Sequence, residues 1–340
     1  MKMMEVLKKL GIDWRDRRMI KRLYMEQSAT VRIAGECSDS NVIGREVRQG
    51  CCLSPLLFAI YVEMMMAEAV DNVEEGVKVG GRLLKDVRFA DDQGMLAGSE
   101  VGLQRLMDGL MAAAKKYDMK INVKKTKVMK ISRKGDGVIN IFVDGQKVEQ
   151  VMKFKYLGSW ITADGRCEVE VKTRISMAKD AFCKRKQLLT QKMSRSVTKM
   201  IIKTVIWSVA LYGAETWTLR KEEFRRLDSL EMWLWRRMEK ISWTEKKTND
   251  EVLALVGEER RLVDVIVERK KRWIGHVLRG DGLLREVIEG RIEGKRLRGR
   301  PRIGLLEELK EGSFGDMKRR AENRSKWRYW VPRTCREAEH

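Results

Sequence analysis

The sequence predicts an α+β chain: a sheet-bearing first part over residues 1–165, with a small antiparallel sheet backed by helices, followed by an all-helical remainder. Three observations carry this. Short apolar runs punctuated by turn residues recur up to Ile161, the clearest being 138–143 and 146–151 about Asp144-Gly145, a pair suited to a type I′ hairpin. From Cys167 onward the apolar period becomes helical, with Val171, Ile175, Ala178 and Phe182 on one stripe. The 340 residues are 43% hydrophobic, enough to build the cores of two or three domains.

In chain order, residues 2–10 read as a short helix stopped by Gly11, and 17–25 as a second. Residues 29–34 read as a strand with Val31 and Ile33 on one face, and 41–47 as another. Next comes Arg48-Gln49-Gly50-Cys51-Cys52-Leu53-Ser54-Pro55, a loop in which serine caps and proline opens a helix over 55–70. The apolar stripe of that helix is Leu57, Ile60, Tyr61 and Met64, at i, i+3, i+4 and i+7.

The run Val87-Arg88-Phe89-Ala90-Asp91-Asp92-Gln93-Gly94-Met95 reads as a hairpin with acid at its tip. Val87 and Phe89 alternate with Arg88 and Ala90, and Asp-Asp is turn chemistry. Two adjacent carboxylates stay ionised at least cost with a divalent cation between them and a phosphate. An ordinary solvated turn explains an isolated Asp-Asp pair equally well. Ser99 precedes a helix striped by Leu103, Leu106, Met107 and Leu110; residues 119–129 form a lysine-loaded, strand-like segment suited to a solvated edge; and 154–161 adds a further strand and turn.

The helical part divides into residues 166–245 and a basic region over 246–340. Residues 200–212 form an apolar, buried segment; Phe224, Leu227, Leu230, Leu234, Met238 and Ile241 mark a further helix; Thr248 with Glu251 makes a capping box; and Leu262, Val265, Ile266 and Trp273 mark a helix carrying Arg269-Lys270-Lys271-Arg272. Near 294–302 the chain becomes a basic linker, in which Arg298 and Arg300 of an Arg-Gly-Arg-Pro stretch suit a narrow A·T-rich minor groove.

The formal charge of +22 and a pI near 9.8 favour a polyanionic partner, most often nucleic acid. The excess lies behind the hairpin: net +6 over 1–165 and net +16 over 166–340, where eight of the ten tryptophans also fall. Interleaved aromatic and basic residues suit strand tracking and base stacking, although helix packing explains buried tryptophans as well. The longest uncharged run, 49–62, is 14 residues, short of the ~18 that crossing a bilayer requires. Six cysteines without CxxC spacing fit a reducing compartment, nuclear or cytoplasmic, and Cys335 with His340 is too few ligands for zinc.

Taken in order, these stretches resemble the reverse transcriptase of non-long-terminal-repeat retrotransposons, the endonuclease-reverse transcriptase type. Gln49, Gly50, Ser54 and Pro55 resemble its template and nucleotide-pocket motif, although Glu46 stands where glycine is usual. Phe89-Ala90-Asp91-Asp92 resembles its metal-binding motif, with Asp91 and Asp92 the catalytic ligands and Gln93 a less usual successor. Lys125 with Asn122 and Thr126 resembles the motif that approaches the incoming triphosphate, and Phe154, Tyr156, Leu157 and Gly158 the primer-grip hairpin. Leu211-Tyr212-Gly213, Gly275-His276-Val277-Leu278-Arg279 and Gly299-Arg300-Pro301-Arg302 are similar to its thumb and C-terminal region.

The resemblance implies a polymerase palm, a helical thumb and a basic extension; two magnesium ions; and an RNA template, a DNA primer or target and deoxynucleoside triphosphates as partners. It also places an aspartate-bearing strand ahead of the first helix, and residues 1–45 offer none. The expectation is therefore an incomplete palm, truncated at its N-terminus and inactive by itself.

Overall fold

The computed structural model describes residues 2–25, 27–43, 50–71, 73–132, 137–190, 193–290, 304–306, 309 and 312–330. The chain forms two compact units, one of residues 1–128 with 138–150, the other of 129–137 with 151–340. The division falls at 150 rather than 165 because the hairpin beyond it bonds to helices of the second unit. Residues 166–245 and 246–340 lie together in that unit.

In the first unit, α1 (Lys2–Lys9) turns through Gly11 into α2 (Trp14–Tyr24). α2 starts ahead of the expected residue 17 because Asp13 caps it, its carboxylate accepting the Arg15 N–H at 2.8 Å. The strand expected over 29–34 is broken by Ala34 (φ 51°) and Gly35 (φ 96°), which turn β2 (Arg32–Ile33) onto β3 (Glu36–Cys37). Outside them β1 (Gln27–Ala29) pairs with β4 (Asn41–Ile43); residues 44–47 of the second expected strand lie outside the described residues.

α3 (Ser54–Asp71) is apolar on nearly every side, so periodicity could not fix its inner face. The buried apolar residues are Leu57, Val62, Met65, Met66 and Ala69, a stripe rotated from the expected Ile60, Tyr61 and Met64. Its partner is α4 (Glu100–Lys116), which is capped by Ser99 as expected. The two helices approach closely at Gly109, where a Cβ would stand 2.5 Å from the Ala69 carbonyl oxygen. Between them lie two hairpins, β5 (Val77–Val79) with β6 (Arg82–Leu84) and β7 (Asp86–Phe89) with β8 (Asp92–Met95).

Within the lysine-rich segment residues 123–125 form a turn, where the Asn122 carbonyl draws in the Lys125 and Thr126 N–H groups, and only β9 (Lys127–Val128) is strand. β10 (Phe142–Val143) and β11 (Gln146–Lys147) meet across Asp144 (φ 48°) and Gly145 (φ 74°), the expected I′ turn. β12 (Glu149–Gln150) runs parallel to β9. Met66, Leu110, Ala114, Ile141, Val143 and Val148 sit at the centre of this unit's core.

The second unit opens with β13 (Lys153–Tyr156) and β14 (Ser159–Thr162), followed by α5 (Glu168–Lys184) and α6 (Lys186–Thr190). α7 (Arg195–Ile201) widens into a π-turn over Ile202–Ile206 and continues as α8 (Trp207–Ala210), putting Ile202, Ile206, Trp207 and Ala210 inside, while Met200 and Tyr212, the ends of the run expected to be buried, are exposed. α9 (Lys221–Met238) and α10 (Asn249–Val256) complete the main core, with the Thr248–Glu251 capping box present.

α11 (Leu262–Arg279) is docked by Glu231 of α9. This fully buried carboxylate accepts the Arg261 and Leu262 N–H groups at 2.9 and 3.1 Å, negative charge meeting a helix N-terminus. Buried Lys270 donates to the Trp217 carbonyl at 2.7 Å. α12 (Leu283–Ile288), α13 (Phe314–Glu322) and α14 (Arg324–Tyr329) form a smaller core on the far part of α11, about Ile274, Leu278, Met317 and Trp327.

The chain is thus mixed α and β, but among the described residues the strands do not merge into one small antiparallel sheet. They form two-stranded ladders, antiparallel except for β9–β12. Strands of two to four residues, ended by positive-φ turns such as Gly80-Gly81, are too short to gather further partners.

Candidate active site

The β7–β8 register pairs Asp86 with Met95, Val87 with Gly94, Arg88 with Gln93 and Phe89 with Asp92. Opposed residues share a face, so Asp92 lies with Phe89, Val87 and Gly94, while Asp86, Arg88, Gln93 and Met95 share the other. Gly94 keeps the first face open, since a Cβ there would stand 3.0 Å from Val87 Cγ2. Ala90 and Asp91 make the turn. Ala90 has φ 53°, a left-handed conformation that costs a residue with a Cβ about 1 kcal/mol, and the Gln93 side-chain amide donates to its carbonyl at 3.0 Å. Asp91 and Asp92 are both exposed at this fixed tip.

On the other face Arg88 grips Asp86 through Nε (2.6 Å) and Nη2 (3.1 Å), and its Nη1 reaches Glu63 of α3 at 2.7 Å. Asp86, opposed by partial burial and helped by Glu63, raises the Arg88 guanidinium above its usual pKa. The nearest further carboxylate on the hairpin is therefore committed to a cation of the protein's own and points away from Asp92.

Two divalent cations side by side need carboxylates from more than one strand. Among the described residues no three His, Cys, Asp or Glu side chains gather as metal ligands would. Asp91 and Asp92 can offer oxygens to one exposed cation, but the residues present do not fit the two-ion magnesium centre that the resemblance implies.

The loop before α3 builds a second cluster. Gly50 has φ 84°. Ser54 is the first residue of α3 rather than its cap, and its buried hydroxyl pairs with the Tyr24 hydroxyl at 2.9 Å. Tyr24 also donates to Cys51 Sγ at 3.5 Å. That hydroxyl, and then the Leu53 N–H, outweigh burial and bring the Cys51 thiol down to about 7. Pro55 follows within the first helical turn, where its missing N–H costs nothing. Lys125 is exposed on the Asn122 turn, its N–H donating to the Asn122 side-chain oxygen at 3.1 Å.

Phe154, Tyr156, Leu157 and Gly158 belong to the second unit. Leu157 (φ 48°) and Gly158 (φ 82°) form the β13–β14 turn, which is held by side chains of three residues. Glu170 accepts the Trp160 N–H at 2.7 Å and Arg174 Nε at 2.6 Å; Arg174 Nη2 donates to the Gly158 carbonyl at 2.6 Å; and the Tyr212 hydroxyl donates to the Leu157 carbonyl at 2.9 Å. The Arg174 guanidinium lies 4.4 Å from the Tyr212 ring centroid. In the sequence the signal of this strut is a Glu–Arg pair at i, i+4 beside the Val171 stripe, where charged residues otherwise read as the solvated face of the helix. Tyr24 left no such signal. Gln49, Arg298, Arg300 and the linker 294–302 lie outside the described residues.

Comparison with known proteins follows the same segments. Residues 2–161 match the family described as reverse transcriptase (RNA-dependent DNA polymerase). Over 209 residues, 60% of this chain and 75% of the other, the sequence is 26% identical to an uncharacterized transposon-derived protein of Caenorhabditis elegans. Over 156 residues, 43% of this chain and 15% of the other, it is 26% identical to a retrovirus-related Pol polyprotein from a type-2 retrotransposable element of Drosophila melanogaster.

Proposed function

We propose that this chain, whose residues 2–161 match the reverse transcriptase family and whose relatives are transposon-derived, serves RNA-templated DNA synthesis as a palm-and-thumb part that holds nucleic acid. We propose further that these 340 residues do not polymerise by themselves. The observation that carries the reading is the β7–β8 tip, where Asp91 and Asp92 stand as adjacent exposed carboxylates inside the matched segment. In the reaction proposed, the 3′-hydroxyl of a DNA primer attacks the α-phosphorus of a deoxynucleoside triphosphate in line, and pyrophosphate leaves. Divalent cations supply charge stabilisation in this family's chemistry. The incomplete donor set described above supports the inactive half of the proposal. It equally supports a second reading, a nucleic-acid-binding remnant without catalysis.

In this proposal Gly50, Pro55 and Lys125 face template and nucleotide while buried Ser54, bonded to Tyr24, braces the loop that carries them; the 153–162 hairpin faces the primer end, and residues 166–340 with net +16 hold backbone phosphates. A reducing nuclear or cytoplasmic setting belongs with it; the described cysteines are free thiols. Primer extension on an RNA template, with magnesium and the purified 340 residues, tests both halves. Binding that falls steeply with salt, with no extension, is the expected result. Extension abolished by Asp91→Asn would overturn the inactivity, and failure to bind RNA or DNA at low salt would overturn the whole reading.

A further inference from the structure

We propose that Trp243, with Lys240 and Lys246 beside it, is a stacking platform for an unpaired base of single-stranded RNA or DNA; this rests on the nucleic-acid-holding part of the function proposed above. The second unit buries Trp207, Trp217, Trp235 and Trp327, so helix packing accounts for these. It does not account for Trp243, which is 88% exposed on the connection between α9 and α10. Nothing about that connection is loose. The Ile241 N–H returns to the Arg236 carbonyl at 2.9 Å, and Ile241 packs on the main core. Ser242 and Glu245 cap each other's backbone across the turn, and Arg236 Nη2 donates to the Lys247 carbonyl (2.9 Å) and Asn249 (3.0 Å). An indole is thus held in water by a braced backbone.

Its surroundings select the partner. Three of the four nearby acids are already engaged: Glu239 with Arg195 at 3.0 Å, Glu245 with the Ser242 N–H and Lys247 at 2.7 and 2.9 Å, and Glu251 in the Thr248 capping box; Asp250, exposed in the first turn of α10, is the fourth. Among the described residues Lys240 and Lys246 have no such partner. Both are in the left-handed region (φ 56° and 48°), three residues before and three after Trp243, a conformation that glycine or asparagine adopts more easily. A π-face flanked by two unpaired cations offers stacking for a base and attraction for its phosphates. Polar Ser242, Thr244 and the lysines give no apolar rim for a protein partner.

The test is fluorescence anisotropy with the full 340-residue chain against oligo-U RNA, oligo-dT DNA, a blunt duplex and an abasic oligomer of the same length. Because Trp243 covers nothing, Trp243→Ala leaves the fold unchanged. Trp243→Ala should weaken both single strands by about ten-fold or more, Trp243→Phe by less, and neither should change duplex or abasic binding or the salt slope. Lys240→Gln with Lys246→Gln should lower the salt slope instead. Unchanged single-strand affinity in Trp243→Ala, against a wild type that binds, overturns this inference alone, as does an equal loss on all four probes. A wild type that binds none of the four overturns it together with the proposed function.

Discussion

Trp327 of α14 occupies the space in which a side chain at Gly275 of α11 would stand. A Cβ at Gly275 would lie 2.6 Å from Trp327 Cδ1 and closer still to Nε1, and that indole N–H donates to the Lys271 carbonyl at 3.0 Å. Gly275 is therefore the socket of the smaller core, and Arg279, four residues on, ties the same region by donating to the Ala321 carbonyl at 2.8 Å. Gly275→Ala should force the indole out, costing about 1–3 kcal/mol. Hydrogen exchange should then rise over 314–330 while α5 and α9 stay protected; unchanged protection in α13 and α14 would refute the socket.

The β13–β14 turn depends on a buried ion pair, Glu170 and Arg174, each about 95% hidden (3% and 5% exposed). Arg174→Ala leaves a carboxylate inside without its cation, so a loss of about 3–5 kcal/mol is expected in chemical denaturation. Tyr212→Phe removes only the partly exposed hydrogen bond to Leu157 and should cost about 0.5–1 kcal/mol. If the two losses are equal, Arg174 is not the main strut.

Cys51 should be the most readily alkylated thiol at neutral pH. Its pKa, lowered to about 7, means that the thiolate predominates above about pH 7, whereas an unperturbed thiol needs a distinctly more alkaline medium. Iodoacetamide labelling followed by mass spectrometry should show Cys51 modification rising through pH 7. Tyr24→Phe removes the largest cause and should move that rise upward; an unmoved profile would show that the Tyr24 hydroxyl is not responsible.

Ala90 carries the strain of the acidic turn. Ala90→Val puts a β-branched side chain at φ 53°, and should destabilise the hairpin by about 1–2 kcal/mol. Ala90→Gly should leave it as stable or slightly more so. Amide exchange at Gln93 and Met95 reports this locally, and equal exchange in the two variants would remove backbone strain as the explanation.

Features set by neighbours along the chain were legible in the amino-acid order. The Asp144-Gly145 turn, the Ser99 cap, the Thr248–Glu251 capping box and the helical period after Cys167 formed where the residues require, and the acidic hairpin formed with its turn one residue earlier, at Ala90-Asp91, because each rests on partners within four positions. Tertiary structure decided the rest. α3 is apolar nearly all round, so only packing with α4 chose Val62 and Met66 over Ile60 and Met64. Ser54 looked like a cap, yet a tyrosine from another helix takes its hydroxyl. Asp86 is bound by Arg88 with Glu63, so Asp91 and Asp92 stand without a third carboxylate among the described residues. Tryptophans alike in composition part into buried Trp235 and exposed Trp243, since burial depends on which surfaces distant helices cover, and no local period encodes that.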